Sequence, residues 1–263
     1  MVSAERPHDD LKLHLHVLGN DHAVETRARV GPTQLMELLP LAREISQGIS
    51  AIVVADTQAH GQTISCRAGC AACCRQLIPI APVEAIRLAE VVDAMPLDRR
   101  RAVKKRFEKA VHRMEQAGLV DARAPRGRAA LLSTEVGGAE AWEDTSRRYF
   151  EAGIPCPFLE NEACTIYSER PMICREYHVT TPASLCASRS PEVRDVPRPI
   201  RMREVMTAAV NDILGRRDFS IPLTLSLEWA SVHRAGFAHE GDGEEMAREL
   251  VRHIREADED ESP

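Results

Sequence analysis

Four cysteines within nine residues, Cys66, Cys70, Cys73 and Cys74, constrain this chain more than any other feature. A bound cation is what best offsets gathering several thiolate charges in one place. Four more follow at Cys156, Cys164, Cys174 and Cys186, which completes the eight in the chain. The two groups are expected to be halves of one metal site, or of two adjacent sites, that folding brings together. At 263 residues and 44% hydrophobic content, a single domain spanning residues 1–263 with a sizeable core is expected. A net charge of −6 and 4% aromatic residues argue against nucleic-acid binding. No run approaches about 20 consecutive apolar residues, so no membrane span is expected. Met1 to Asp10 is polar and lacks the apolar core of a signal peptide. A reducing cytoplasm is therefore expected, where clustered cysteines mean metal or redox chemistry more often than disulfides.

The fold class expected is mainly α with a small N-terminal β-hairpin and irregular cysteine-rich loops stapled by a metal or iron–sulfur site. Leu11 to Val17 alternates, Gly19-Asn20-Asp21 can turn, and Val24 to Val30 alternates again, which predicts a hairpin over 11–30. His14 and His16 share a face with Lys12 and read as a solvated strand face. Thr33 can cap a helix that runs to about His60 with a break near Pro40. Further helices are expected from Pro82 to Met95, from Leu97 to Ala117, from 140 to 152, and at 201–214, 222–235 and 242–257. The segment 121–139 reads as a connecting loop and Asp258 to Glu261 as a frayed acidic tail. The third helix carries Arg99, Arg100, Arg101, Lys104, Lys105, Arg106 and Lys109. Such a face can dock an acidic protein partner or a membrane surface, but reads first as a solvated face.

Residues 154–200 are dense in Pro, Cys and Ser, with little periodicity, and metal ligation would supply an ordering constraint there. Zinc knuckles usually present two CxxC pairs, but here Cys70 and Cys73 alone have that spacing. Adjacent Cys73 and Cys74 are expected to point in divergent directions, so that they could serve two metals or leave one as a free thiol. The triplet Cys66, Cys70 and Cys73 suits an iron–sulfur cluster, whose irons accept ligands from one loop. Iron–sulfur is favoured over zinc, with a thiol-redox site as the remaining alternative. Arg67, Arg75, Arg170, Arg175, Tyr167 and Tyr177 flank the sulfurs. They can stabilise thiolate charge around a cofactor or simply hold the loop. His60 and His178 are the histidines nearest the cysteines and could replace a sulfur.

In order, CxxxCxxCC, Cys156-Pro157-Phe158-Leu159, Cys164-Thr165-Ile166-Tyr167 and Arg170-Pro171-Met172-Ile173-Cys174-Arg175-Glu176-Tyr177 resemble the YkgJ-type cysteine-cluster proteins, a zinc- or iron-chelating domain family. The resemblance runs from about Cys66 to Cys186 and implies metal or iron–sulfur binding. A related group, the flagellin lysine N-methylases, implies the alternative of a cluster-dependent, S-adenosylmethionine-using protein methylase. CxxxCxxC also matches the loop of radical S-adenosylmethionine enzymes, but that loop normally belongs to a βα barrel. Whether the chain is an enzyme, its substrate and its oligomeric state stay open at this point.

Overall fold

The computed structural model describes residues 8–120 and 138–260. Strands β1 (His8–Val17) and β2 (Asn20–Arg29) form an antiparallel hairpin in which Val17 pairs with Asn20. Leu13, Leu15, Val17, Val24 and Ala28 turn one face into the core, and Lys12, His14 and His16 stay exposed. The turn differs from the one expected. Leu18 and Gly19 occupy it with φ of 54° and 77°. Two successive left-handed residues give the primed turn that matches the twist of a two-residue hairpin.

The start of the first helix is displaced too. Strand β3 (Pro32–Gln34) pairs antiparallel with β8 (Glu240–Asp242), and Thr33 is buried there, donating to the Gly31 carbonyl. It caps nothing. After one tight turn, helix α1 (Leu38–Ala59) begins. Pro40 lies in its first turn, where a missing N–H forfeits no helical bond, so the expected break is absent. By length and composition Leu35–Ala59 is apolar enough to cross a membrane, although charged residues interrupt every long apolar run. In the fold its Leu38, Ala42, Ile45, Ile49 and Val53 are buried in the core.

Helices α2 (Pro82–Asp93), α3 (Leu97–Gln116) and α4 (Gly138–Glu151) follow. Two short turns, α5 (Ile173–Glu176) and α6 (Ala183–Ala187), lie in the cysteine-rich segment. Helices α7 (Met202–Leu214), α8 (Ser226–His233) and α9 (Gly243–Asp260) complete the order. The hairpin lies on α1 and α9, α7 packs on α9, and α2 on α8. One apolar cluster runs through all of these, from Leu13 to Ile254. Strand β4 (Pro79–Ile80) pairs with β7 (Ile221–Pro222), and among the described residues every sheet is such a two-stranded antiparallel ladder, which is no βα barrel. The expected 121–139 loop falls outside the described residues up to Gly138, where α4 begins. Asp258 belongs to α9 instead of a frayed tail, and its carboxylate accepts the His16 amide at 2.9 Å.

Candidate metal centre

The first cysteine group sits on two consecutive turns. Gly69, at φ 85°, turns the chain so that the Cys70 amide donates back to the Arg67 carbonyl at 3.0 Å. Ala72–Arg75 then form a single 3-10 turn. In that tight geometry the Cys74 thiol stays near enough to Cys73 to raise its pKa, so the two side chains do not diverge as expected. An extended backbone would have sent them to opposite sides. In the second group, β5 (Leu159–Glu160) and β6 (Ala163–Cys164) form a miniature hairpin that carries Cys164. Cys174 rides on α5 and Cys186 on α6.

Backbone bonds join the groups. The Cys156 amide donates to the Cys74 carbonyl at 2.7 Å, and the Ser65 amide donates to Val179 at 2.9 Å. Gln76 Nε2 donates to the Cys186 carbonyl at 3.3 Å, and Arg75 reaches Glu162 at 2.6 Å. The sulfurs consequently feel one another. Cys66, Cys70 and Cys186 interact as one set, and Cys156, Cys164 and Cys174 as another. Cys73 interacts with both sets. None of the eight is in a disulfide.

Without a cation this arrangement favours the protonated form of six thiols, those of Cys66, Cys73, Cys156, Cys164, Cys174 and Cys186. Burial pushes Cys66 and Cys164 up, Cys156 up to about 12 and Cys186 to about 11. Cys73 rises further, chiefly through the Cys74 hydrogen bond and then through burial. Cys174 is pushed well up by burial among Cys156, Cys73 and Glu84. A positive ion at the sulfurs reverses each of these penalties, because it stabilises the thiolate that burial opposes.

The frame around the cysteines is built from residues of less obvious purpose. Arg99, Arg106 and Arg113 recur every seven residues on α3, so they share a face at intervals of about 10 Å. Each donates to a carbonyl of the second group: Arg99 to Thr165 at 2.8 Å, Arg106 Nε to Pro157 at 2.7 Å, and Arg113 to Gly153 at 2.7 Å. The basic face is therefore partly committed within the chain, and Arg100 and Lys104 also bond to Asp93. Glu84, 1% exposed, accepts the Ala81 amide at 3.0 Å and the Met172 amide at 2.8 Å. It ties the start of α2 to the turn before Cys174. Ile154, Phe158, Ile166 and Met172 are also buried, so apolar packing contributes to ordering this segment.

Of the flanking residues named from sequence, Arg170 comes closest to the expected role. It lies 4.1 Å over the Tyr167 ring and lowers the thiol pKa values of Cys66, Cys73 and Cys164. Its Nε is buried without a hydrogen-bond partner, as is Nδ1 of His178 beside it. Two orphaned nitrogens next to gathered sulfurs fit a site that receives a further group, since buried polar atoms are normally satisfied. Arg175 is spent on the Arg170 and Ser168 carbonyls. Tyr177 donates to Asp195 at 2.9 Å and feels Cys186 and Cys73. Arg67 and His60 are exposed; His60 bonds to its own helix at Asp56. Glu84 and the arginine row were not singled out from sequence; the sevenfold arginine spacing was the available signal.

Among the described residues, the three donor atoms that come within 4.8 Å of one another belong to Asp212, Glu249 and His253. Arg252 already supplies a cation there, 2.6 Å from Asp212 and paired with Glu249, so that cluster reads as an ion-pair network.

Neither curated proteins nor solved structures give a match to this chain. A family model does match, over residues 65–195, which begin one residue before Cys66 and extend past Cys186 to Asp195. The described geometry and that match agree on which part of the chain is specialised, and residues 65–195 belong to the CxxCxxCC family, the "putative zinc- or iron-chelating domain".

Proposed function

We propose that the eight cysteines form the chelating centre and that it holds iron–sulfur in the cell. The observation that carries this is the meeting of both cysteine groups at Cys73, with the Arg170 guanidinium among the sulfurs. A cluster ligated by four thiolates is anionic, and a cation with a spare donor beside it stabilises that charge and tunes its potential. When bound, such a cluster would supply one-electron chemistry or a rigid anionic node. The chain's own contribution is to gather the thiols and exclude water through Ile154, Phe158 and Met172, while the bound cation would favour loss of their protons.

Zinc is the second reading, and one observation favours it. The sulfurs divide into two sets of three about the adjacent pair Cys73 and Cys74. Adding one member of the pair to each set gives two groups of four, the number that a structural zinc takes. Anaerobic purification separates the readings. An iron–sulfur centre gives brown protein with broad absorbance near ~400 nm and acid-labile sulfide. Colourless anaerobic protein with stoichiometric zinc and no sulfide would overturn the first reading in favour of the second. A reducing cytoplasm suits either, because eight thiols must stay reduced to bind.

A further inference from the structure

A cleft of about 870 Å³ opens beside the cysteines, with Cys73 and Cys174 on one wall and α7 on the other. Neither the cysteine spacing nor the family accounts for it. Its lining combines two chemistries. Arg198 and Arg201 supply cationic donors, and Trp142 and Phe219 supply flat apolar surface. Phe219 is 43% exposed, unusual for a phenylalanine, and faces this space.

The charges in the cleft do not cancel. Asp218 is held by Arg216 at 2.7 Å, and Glu204 by Arg203 at 2.5 Å. Arg201 lies 3.8 Å from Glu204, a carboxylate already engaged. Among the described residues no carboxylate pairs with Arg198, whose guanidinium rests 5.5 Å over the Tyr177 ring. Tyr177 is itself fixed by Asp195, so it presents Arg198 on a held platform. A guanidinium that is positioned, half-buried and without a carboxylate is suited to a planar or tetrahedral oxyanion, which it can grip with two N–H groups.

We propose that this cleft binds a small organic anion: a carboxylate or phosphate head at Arg198 and Arg201, with an apolar or aromatic body between Trp142 and Phe219. Its far end would lie against the wall that carries Cys73 and Cys174. The inference concerns the cleft alone and holds for either metal, so it stands or falls separately from the chelating centre.

The chain has two tryptophans, and Trp229 is buried in a stack on His233, so Trp142 is the natural reporter. The full-length protein as purified, with its metal content recorded, is titrated with phenyl phosphate, benzoate, inorganic phosphate and phenol. Calorimetry and tryptophan emission are read together. Phenyl phosphate or benzoate should saturate at about 1 mM or below, with phosphate and phenol each about tenfold weaker. Which of the two aromatic anions binds tighter identifies the head group. Trp142→Phe should remove the emission change and leave a calorimetric signal. Arg198→Gln with Arg201→Gln should weaken binding about tenfold. If that pair does not fold by circular dichroism, wild-type binding at rising salt serves instead, and should weaken as charge is screened. No saturation by ~10 mM, phenol binding as tightly as phenyl phosphate, or salt-independent binding would each overturn the proposal.

Discussion

Removing Glu84 tests the frame most directly. Its carboxyl is buried, and its two oxygens accept amide N–H groups from two separate parts of the chain, Ala81 and Met172. Glu84→Ala leaves both donors without a partner in a place that water does not reach. Each such orphan costs about 1–3 kcal/mol, so the pair amounts to roughly 2–6 kcal/mol. Burial raises the Glu84 pKa, so part of the loss is offset by no longer holding an acid in an apolar place. A net loss of about 3 kcal/mol is expected. Glu84→Gln keeps one acceptor and turns an NH2 toward the other amide, so about half that loss should appear. With a urea slope of about 3 kcal/mol per molar, the alanine variant shifts the midpoint by about 1 M. Metal affinity should fall in parallel, because the freed Met172 amide precedes Cys174 by two residues. An alanine variant within about 0.5 kcal/mol of wild type would refute the reasoning, since no amide could then have depended on Glu84.

Other outcomes follow from the same geometry. Cys70→Ser and Cys174→Ser should release metal, measured by elemental analysis, with the helical circular dichroism retained. Arg106→Met should lose the bond to Pro157, destabilise by about 1.5–3 kcal/mol in urea and open new protease sites near 157. Glu169 is held down to about 2 by Arg87 and then Arg43, against burial. Its folded pKa lies below its unfolded one, so its stabilisation is complete above pH ~4.5 and lost as the pH falls toward 2. That contribution is on the order of 3 kcal/mol, and Glu169→Gln should flatten the acid limb of a stability–pH curve measured on metal-free protein.

What could be read from the sequence was local. Leu13, Leu15 and Val17 alternate, and Ile45, Ile49 and Val53 repeat at helical spacing, so each announces its own element. The family was legible because the cysteine motifs are specific in spacing and order. Thr33 misled because its strand partner lies two hundred residues away in β8, and a possible cap looks the same in either setting. Arg99 and Arg106 looked like a solvent face because the groups they bond are backbone carbonyls, which every residue carries. Glu84 is an acid in the first turn of α2. Its second bond, to Met172, depends on a loop that local sequence does not position. The Cys73–Cys74 contact was missed because it depends on a 3-10 turn, and neighbouring residues converge only in such tight backbone.

The arginine row on α3 has a consequence for how the centre exchanges its contents. Three clips, at Gly153, Pro157 and Thr165, divide the strand of chain that bears Cys156 and Cys164 into two spans too short to wander. Most small metal domains gain their structure from the ion and collapse when a chelator takes it. Here the cysteine-bearing segment is held from behind by a helix that carries no cysteine of its own. Loading is then an event of a few side chains, with a small heat-capacity change and little entropy of ordering. If the cysteines hold a metal as proposed, such a frame would let the centre empty and refill without passing through an unfolded chain.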